Sequence, residues 1–366
     1  MRSRSQTTRW SPKTSTASTA SCASSSASAA PDTVGEAMSR PAPPCEVPSL
    51  DVEREADRIA GWMATVLATR LHRRGFVVAV SGGIDSALCA ALAARAVGPG
   101  KVHALLLPER DSSGAATRLG RELVAHLGVA HDIVEITPVL EAIGCYRERD
   151  AAIRRVFPAH GDGWRSKIVI AGGTQGGINH FRLVVQSPEG ARHEARLGLR
   201  EYLQIVAATN HKQRIRKTLE YFHADRLNYA VVGTPNRLEY DLGFFVKGGD
   251  GLADLKPIAH LYKTQVYELA RGLGLPDGIC AAQPTTDTYT LPQGQDEFFF
   301  ALPYARMDVA LWSLDRGVSA AGLGKSLGID AQQAQRIYDD ISSKRRASRY
   351  LHATAETMLA PPAPNA

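Results

Sequence analysis

The sequence predicts an α/β fold, a parallel twisted sheet with helices on both faces. Three observations carry that expectation. Apolar runs of strand length occupy residues 76–80, 102–107, 133–136 and 229–232. Helical stretches at 87–97 and 117–127 separate the first three runs. The loop Ser81-Gly82-Gly83-Ile84-Asp85-Ser86 joins the first run directly to the first of those helices. Strands that alternate with helices build a parallel sheet covered on both sides, because each crossover lays a helix against a face.

Residues 1–45 are rich in Ser, Ala and Thr and almost lack apolar bulk. Such a segment buries too little surface to offset the entropy of ordering, so a disordered low-complexity tail is expected. Its Arg- and Ser-rich, acid-poor start fits an organelle transit peptide; translated upstream sequence, with Met38 as the natural start, is the favoured reading. Beyond Val52, Ile59, Trp62, Met63, Val66 and Leu67 recur at helical spacing and lead into the first strand. After the third strand the rhythm breaks. Residues 167–171 and 181–186 read as strands and Ser187-Pro188-Glu189-Gly190 as a turn into 191–197, which predicts a β-hairpin insertion at about 166–196. Residues 323–341 read as helical with a break near Gly328, and Pro361-Pro362-Ala363-Pro364 marks a fraying C-terminal tail over 351–366. A catalytic domain over 51–350 is expected between the tails.

The formal charge is +6, but Arg2, Arg4, Arg9, Lys13 and Arg40 against Asp32 and Glu36 place +3 of it in the tail. The remainder is mildly basic, which suits a phosphate-bearing small substrate and lacks the concentrated basic face of a nucleic-acid binder. The helices at 323–341 could pass for a helix-turn-helix reader, yet the second offers Gln332, Gln333 and Gln335 with Arg336 as its base, so no nucleic-acid partner is expected. No stretch approaches the ~20 apolar residues of a membrane span, and no membrane partner is expected. The five cysteines, Cys22, Cys45, Cys89, Cys145 and Cys280, form no CxxC pair. Thiolate metal sites and disulfide frameworks are therefore not expected, and a reducing cytoplasm is.

The loop at 81–86 carries the strongest local chemistry. Its glycines let the backbone turn tightly and approach a ligand, while free N–H groups and the helix dipole favour a bound anion. Ser81 and Ser86 add hydroxyl donors. Asp85 repels phosphate unless Mg²⁺ lies between them. The competing reading is a glycine pair that ends a strand before a capped helix. No Lys follows as in a Walker A loop, and Gly324-Lys325-Ser326 is a decoy with no preceding strand.

SGGIDS is similar to the PP-loop signature of N-type ATP pyrophosphatases, in which the loop grips the pyrophosphate that leaves when a substrate oxygen attacks the α-phosphate. Within that group, the run Val231-Val232-Gly233-Thr234-Pro235-Asn236-Arg237-Leu238-Glu239, followed by residues 243–254, resembles the ammonia-dependent NAD synthase family. Similarity extends to residues 210–216, Leu261-Tyr262-Lys263-Thr264-Gln265, Pro284-Thr285-Thr286-Asp287 and Lys344-Arg345-Arg346. The resemblance implies an adenine nucleotide alpha hydrolase-like, Rossmann-like arrangement, ATP as co-substrate, Mg²⁺ and a cytoplasmic homodimer. Carried over by position, it implies that Asp85 and Glu239 hold the metal. It further implies that Ser81, Gly82, Gly83, Asp85, Ser86, Thr234, Lys263 and Thr285 bind ATP, with Asp85 and Lys263 catalytic. Arg214, Lys247, Asp254 and Lys344 would hold the carboxylate substrate, which is deamido-NAD in the family. Asp254 could instead shape the turn at Lys256-Pro257, Lys344 could be a solvated charge, and Thr234 could cap a helix with Pro235 at its first position.

Departures fall on the acceptor side: the insertion, Gly248 in place of a usual tyrosine, Ser343 for a histidine, Gln213 for a small residue, and the aromatic run 293–304. Because specificity is set by pocket contacts, intact ATP-side positions beside altered acceptor positions are what a changed carboxylate would produce. The expectation is an ATP-dependent amide ligase that adenylates deamido-NAD or a related carboxylate, releases pyrophosphate and transfers the acyl group to ammonia. The alternatives are a ligase for another carboxylate or amine in specialised metabolism, and a non-catalytic nucleotide-binding protein. With no glutaminase domain and no cysteine in a nucleophile setting, nitrogen is expected as free ammonia or from a separate glutaminase.

Overall fold

The computed structural model describes residues 45–171, 180–283, 289–294, 299 and 302–357. The tail at 1–44 and the Thr285 site lie outside them, as does half of 293–304. Seven strands follow in chain order: β1 (Phe76–Ala79), β2 (Val102–Leu106), β3 (Ala130–Ile133), β4 (Arg165–Ala171), β5 (His180–Gln186), β6 (Arg192–Arg196) and β7 (Ala230–Val231). β3, β2, β1 and β7 form one parallel sheet in that order, with Phe76 level with Val102 on one side and Ala230 on the other.

Alternation along β1 divides the core. Phe76 and Val78 pack with helices Val52–Val66, Ile84–Val97 and Lys263–Gly272, whereas Val77 packs on the opposite face with Leu105, Val231 and Ala224 of helix Leu199–Leu227. Phe76, Val77 and Val78 are all fully buried. Each contributes about 1.5–3 kcal/mol on leaving water, so a charge at Val78 would disrupt the layer it shares with Phe76. Asp51 caps the first helix by accepting from the Arg54 N–H at 3.2 Å. Trp62, read as part of that helix's apolar stripe, instead faces outward, 42% exposed.

Two strand boundaries differ from expectation. β3 ends where the predicted run at 133–136 begins. It is an edge strand with mostly exposed side chains, so its own sequence carries little apolar signal, and the buried Ile136 belongs to the entry of helix Thr137–Ala142. The last parallel strand is short because Val232 already bridges to Leu255. The insertion is larger than a hairpin: β4, β5 and β6 form a three-stranded antiparallel sheet, with Ile168, Leu183 and Val185 packed against Ala152, Ile153 and Ile205. Helix Leu199–Leu227 follows it and ends with Asn228 in the left-handed region.

The C-terminal helices Tyr304–Asp315, Ala320–Leu327 and Ala331–His352 pack on helix Arg237–Leu242 around Leu238, Met307, Leu311 and Ile341. The expected break falls at Gly328, whose φ of +64 closes one helix, and Asp330 opens the next with a capping box to Gln333. Among the described residues no helix is long and apolar enough to cross a membrane.

β1 has β2 on one side and β7 on the other, so the winding direction reverses between β1 and β7. Parallel sheets leave a crevice outside the carboxyl ends of the strands at such a point.

Candidate active site

That crevice is a cleft of about 1260 Å³. The loop after β1, the segment after β2 and the segment after β7 all open into it. Gly82 takes φ +82, and a Cβ there would stand 2.3 Å from the Ala116 carbonyl oxygen, so both conformation and space demand glycine. Ser86 Oγ donates to the Gly83 carbonyl at 2.9 Å and accepts from the Ser81 N–H at 3.2 Å, closing the loop on itself. Gly83 starts helix Ile84–Val97 without a side-chain cap, and the first intrahelical bond runs from the Ala87 N–H to the Gly83 carbonyl. The N–H groups ahead of it, aligned with the helix dipole, are a ready anion seat.

Asp85 stands in the first turn of that helix. Its carboxylate pairs with the Lys263 ammonium and also accepts from Asn236 Nδ2 at 3.0 Å. Asn236 is wholly buried and begins helix Arg237–Leu242 through a capping box: its side chain accepts from the Glu239 N–H at 3.2 Å, and Glu239 Oε2 accepts from the Asn236 N–H at 3.1 Å. The cap is therefore Asn236, not Thr234 with Pro235 at the first position; Thr234 lines the cleft instead. Lys263 is buried at the start of helix Lys263–Gly272. Asp308, on another helix and fully buried, accepts from the Lys263 and Thr264 N–H groups at 3.2 and 2.7 Å. The Tyr267 and Tyr304 rings flank the ammonium, their centroids 5.8 and 5.4 Å away.

Charge at this point is unbalanced. Burial first, then the neighbouring Asp85 carboxylate, push Glu239 up to about 8, although Lys263 pulls the other way. Burial opposes the Lys263 charge, but Asp85 and Glu239 outweigh it and hold its pKa above that of a free lysine. Two carboxylates sharing one ammonium are short of positive charge. An all-oxygen donor pair in that condition fits a hard dication such as Mg²⁺ better than a soft metal.

The opposite side of the cleft carries the residues expected to meet the acceptor. Arg214, Lys247 and Lys344 line it with Gln213, Lys217 and Glu220. Arg214 Nε donates to the Lys247 carbonyl at 3.3 Å, Lys247 Nζ to the Tyr350 carbonyl at 2.9 Å, and Lys344 Nζ to Asp340 and the Phe299 carbonyl, both at 2.6 Å. Gly248 has φ +74, a conformation that explains glycine where a tyrosine would be strained. Ile170 and Phe181 of the insertion also reach the wall, where Phe181 stacks on Tyr202 with centroids 4.0 Å apart.

Asp254 does not line the cleft. Its carboxylate accepts from the Val231 N–H at 2.7 Å and the Tyr221 hydroxyl at 3.4 Å, fastening the turn to the sheet. Ser81, Gly82, Gly83, Asp85, Ser86, Thr234, Glu239 and Lys263 are brought together; Thr285 falls outside the described residues. Sequence reasoning missed Asn236 and Asp308. The first was legible as a capping box, whereas nothing local marks the second.

Known proteins share sequence and fold with this chain. The NAD synthase family model matches residues 56–155 and 185–349, so the unmatched stretch takes in β4 and the start of β5. An NH(3)-dependent NAD(+) synthetase of Rhizobium meliloti (strain 1021) is 54% identical over 304 residues, 83% of this chain and 91% of that protein. That of Mesorhizobium japonicum is 53% identical over 306 residues, 83% and 96% of the two chains. The solved NMN synthetase of Francisella tularensis shares the fold with a TM-score of 0.58 at 22% identity, over 84% of this chain and 99% of that one.

Proposed function

The chain belongs to the NAD synthase family, and from that premise we propose how its cleft divides the labour of the reaction. The protein is an ATP-dependent ligase that forms a C–N bond: it adenylates deamido-NAD and aminates it with ammonia, giving NAD, AMP and pyrophosphate.

In our reading, the triphosphate tail of ATP lies on the Ser81–Ser86 loop, with Thr234 and Thr285 beside it. A carboxylate oxygen of deamido-NAD attacks the α-phosphorus, and the pyrophosphate leaves toward the N–H groups at the start of helix Ile84–Val97. Adenylyl transfer needs little covalent help from protein but much neutralisation of developing charge. Lys263 supplies a buried ammonium for it. Asp85 and Glu239 would hold Mg²⁺, which would supply positive charge against the developing phosphate charge when bound. Ammonia then attacks the acyl carbon, the C–O bond to AMP breaks, and the nitrogen loses a proton.

We assign acceptor binding to Arg214, Lys247 and Lys344, whose positive charge suits the phosphates and carboxylate of deamido-NAD, with the insertion closing that wall. Asp254 acts through the turn it holds. We place the catalytic domain at 51–350, its action in the cytoplasm and its assembly as a homodimer, supplied with free ammonia or by a separate glutaminase.

The observation that carries the reading is the convergence of the uncapped loop helix, Asp85, Glu239 and Lys263 at the β1/β7 crevice. The test is conversion of deamido-NAD to NAD with MgATP and ammonium, set against a Lys263→Met control. Formation of NAD no faster than in that control would remove the assignment.

A further inference from the structure

Outside the lining of the cleft, His103 of β2, Asp132 of β3 and His223 of helix Leu199–Leu227 turn toward one another. His103 lies two residues before Leu105, the ladder partner of Asp132, so both side chains project from the face that the helix covers. His103 Nε2 stands 2.9 Å and His223 Nδ1 3.5 Å from Asp132 Oδ2, and all three atoms lie within 4.8 Å of one another. The two imidazoles stack, with ring centroids 5.2 Å apart.

A cation already sits among them. Arg226 Nη2 is 2.8 Å from His223 Nδ1, 3.1 Å from Asp132 Oδ2 and 3.4 Å from His103 Nε2. One guanidinium nitrogen thus occupies the point on which three ligand atoms converge. The arginine comes from the last turn of the helix, and its side chain is 42% exposed, so it can swing into solvent without unfolding anything. His103 and His223 are held far more firmly, at 12% and 8%.

We propose that His103, Asp132 and His223 form a binding site for a first-row transition dication, zinc above all, which Arg226 covers while the site is empty. The donor set decides the class: two borderline imidazole nitrogens with one carboxylate oxygen suit zinc and its neighbours, whereas Mg²⁺ and Ca²⁺ prefer oxygen alone. The geometry fits as well. Ligands on a tetrahedral zinc with bonds near 2.0–2.1 Å stand roughly 3.3 Å apart; the 2.9 and 3.5 Å from Asp132 Oδ2 to the two imidazole nitrogens bracket that value, and those nitrogens lie within 4.8 Å of each other. Water would complete the fourth position. Bound there, the ion pins β2 and β3 to the helix that also presents Gln213 and Arg214 to the cleft.

The test uses full-length protein stripped with EDTA, desalted, and titrated with zinc sulfate in excess Mg²⁺ against a chromophoric zinc indicator. The wild type takes up one zinc per chain, and its thermal midpoint rises by about 5 °C at saturating metal. Asp132→Asn and the double variant His103→Ala/His223→Ala weaken that uptake about 100-fold. Arg226→Gln binds about fivefold more tightly, because the competing ion pair is gone. Should the double variant not fold, Arg226→Gln set against Asp132→Asn still decides. A simple salt-bridge cluster gives no zinc uptake in either the wild type or Arg226→Gln, or uptake indifferent to Asp132→Asn, and either result overturns the proposal.

Discussion

Asn236 Nδ2 donates to Asp85 Oδ1 at 3.0 Å across 151 positions of sequence, and this bond ties the phosphate loop to the helix that presents Glu239. The same side chain caps that helix, so one buried amide sets the positions of both acidic residues.

Asn236→Ala should therefore cost about 1–2 kcal/mol of stability through the lost cap and lower kcat/KM roughly tenfold or more. Asn236→Ser separates the two effects. Serine keeps a cap but is too short to donate to Asp85, so this variant should be more stable than Asn236→Ala while its activity falls as far. Recovery of activity together with stability in Asn236→Ser would contradict the dual role.

The two loop glycines should differ. Gly82→Ala combines positive φ with a 2.3 Å approach to the Ala116 carbonyl, and should lose a few kcal/mol of stability together with ATP binding. At Gly83 a Cβ meets only Ser81 Oγ at 3.3 Å, and φ is −86, so Gly83→Ala should fold normally. Calorimetry with and without ATP distinguishes them; equal tolerance at both positions would argue against this loop geometry.

Glu239 sets a pH dependence. Its pKa in the folded, metal-free protein is about 8, above the 4.5 of an unperturbed glutamate. Between those values the folded state holds a proton that the unfolded chain has lost, so metal-free stability should decline as pH rises toward 8. Metal binding must expel that proton, and apparent Mg²⁺ affinity should climb about tenfold per pH unit up to 8 and then level off. Glu239→Gln should abolish the slope. Isothermal titrations from pH 6 to 9 would show it, and a flat profile in the wild type would contradict it.

On the acceptor side, Phe181→Ala removes a stacked partner of Tyr202 from the wall formed by the insertion. The KM for deamido-NAD should rise several-fold with the KM for ATP unchanged, since a lost aromatic pair is worth about 0.5–1.5 kcal/mol. A change confined to ATP would place the insertion on the wrong side of the cleft.

The parallel sheet and the loop were legible in the sequence because their signals are local: apolar runs at β1 and β2, and serines and glycines between strand and helix. β3 was misplaced by three residues because an edge strand with exposed faces carries little apolar periodicity. Helix Leu199–Leu227 escaped because it buries Lys212, Lys217 and Glu220 beside alanines, which blurs the usual stripe. Lys212 is neutralised by Glu109 and Asp111, a pairing that spans about a hundred residues. Asp308 was invisible for the same reason, since its partners are backbone N–H groups of Lys263 and Thr264. Asp254 stands at a matched position of the family-like run, and only the fold reveals that its carboxylate turns to Val231.

The most direct test follows one oxygen atom. Deamido-NAD labelled with ¹⁸O in its carboxylate, incubated with MgATP and ammonium, should yield AMP carrying one labelled oxygen for each NAD formed, with unlabelled pyrophosphate. ADP as the product, or AMP free of label, would contradict adenylation of the carboxylate in this cleft.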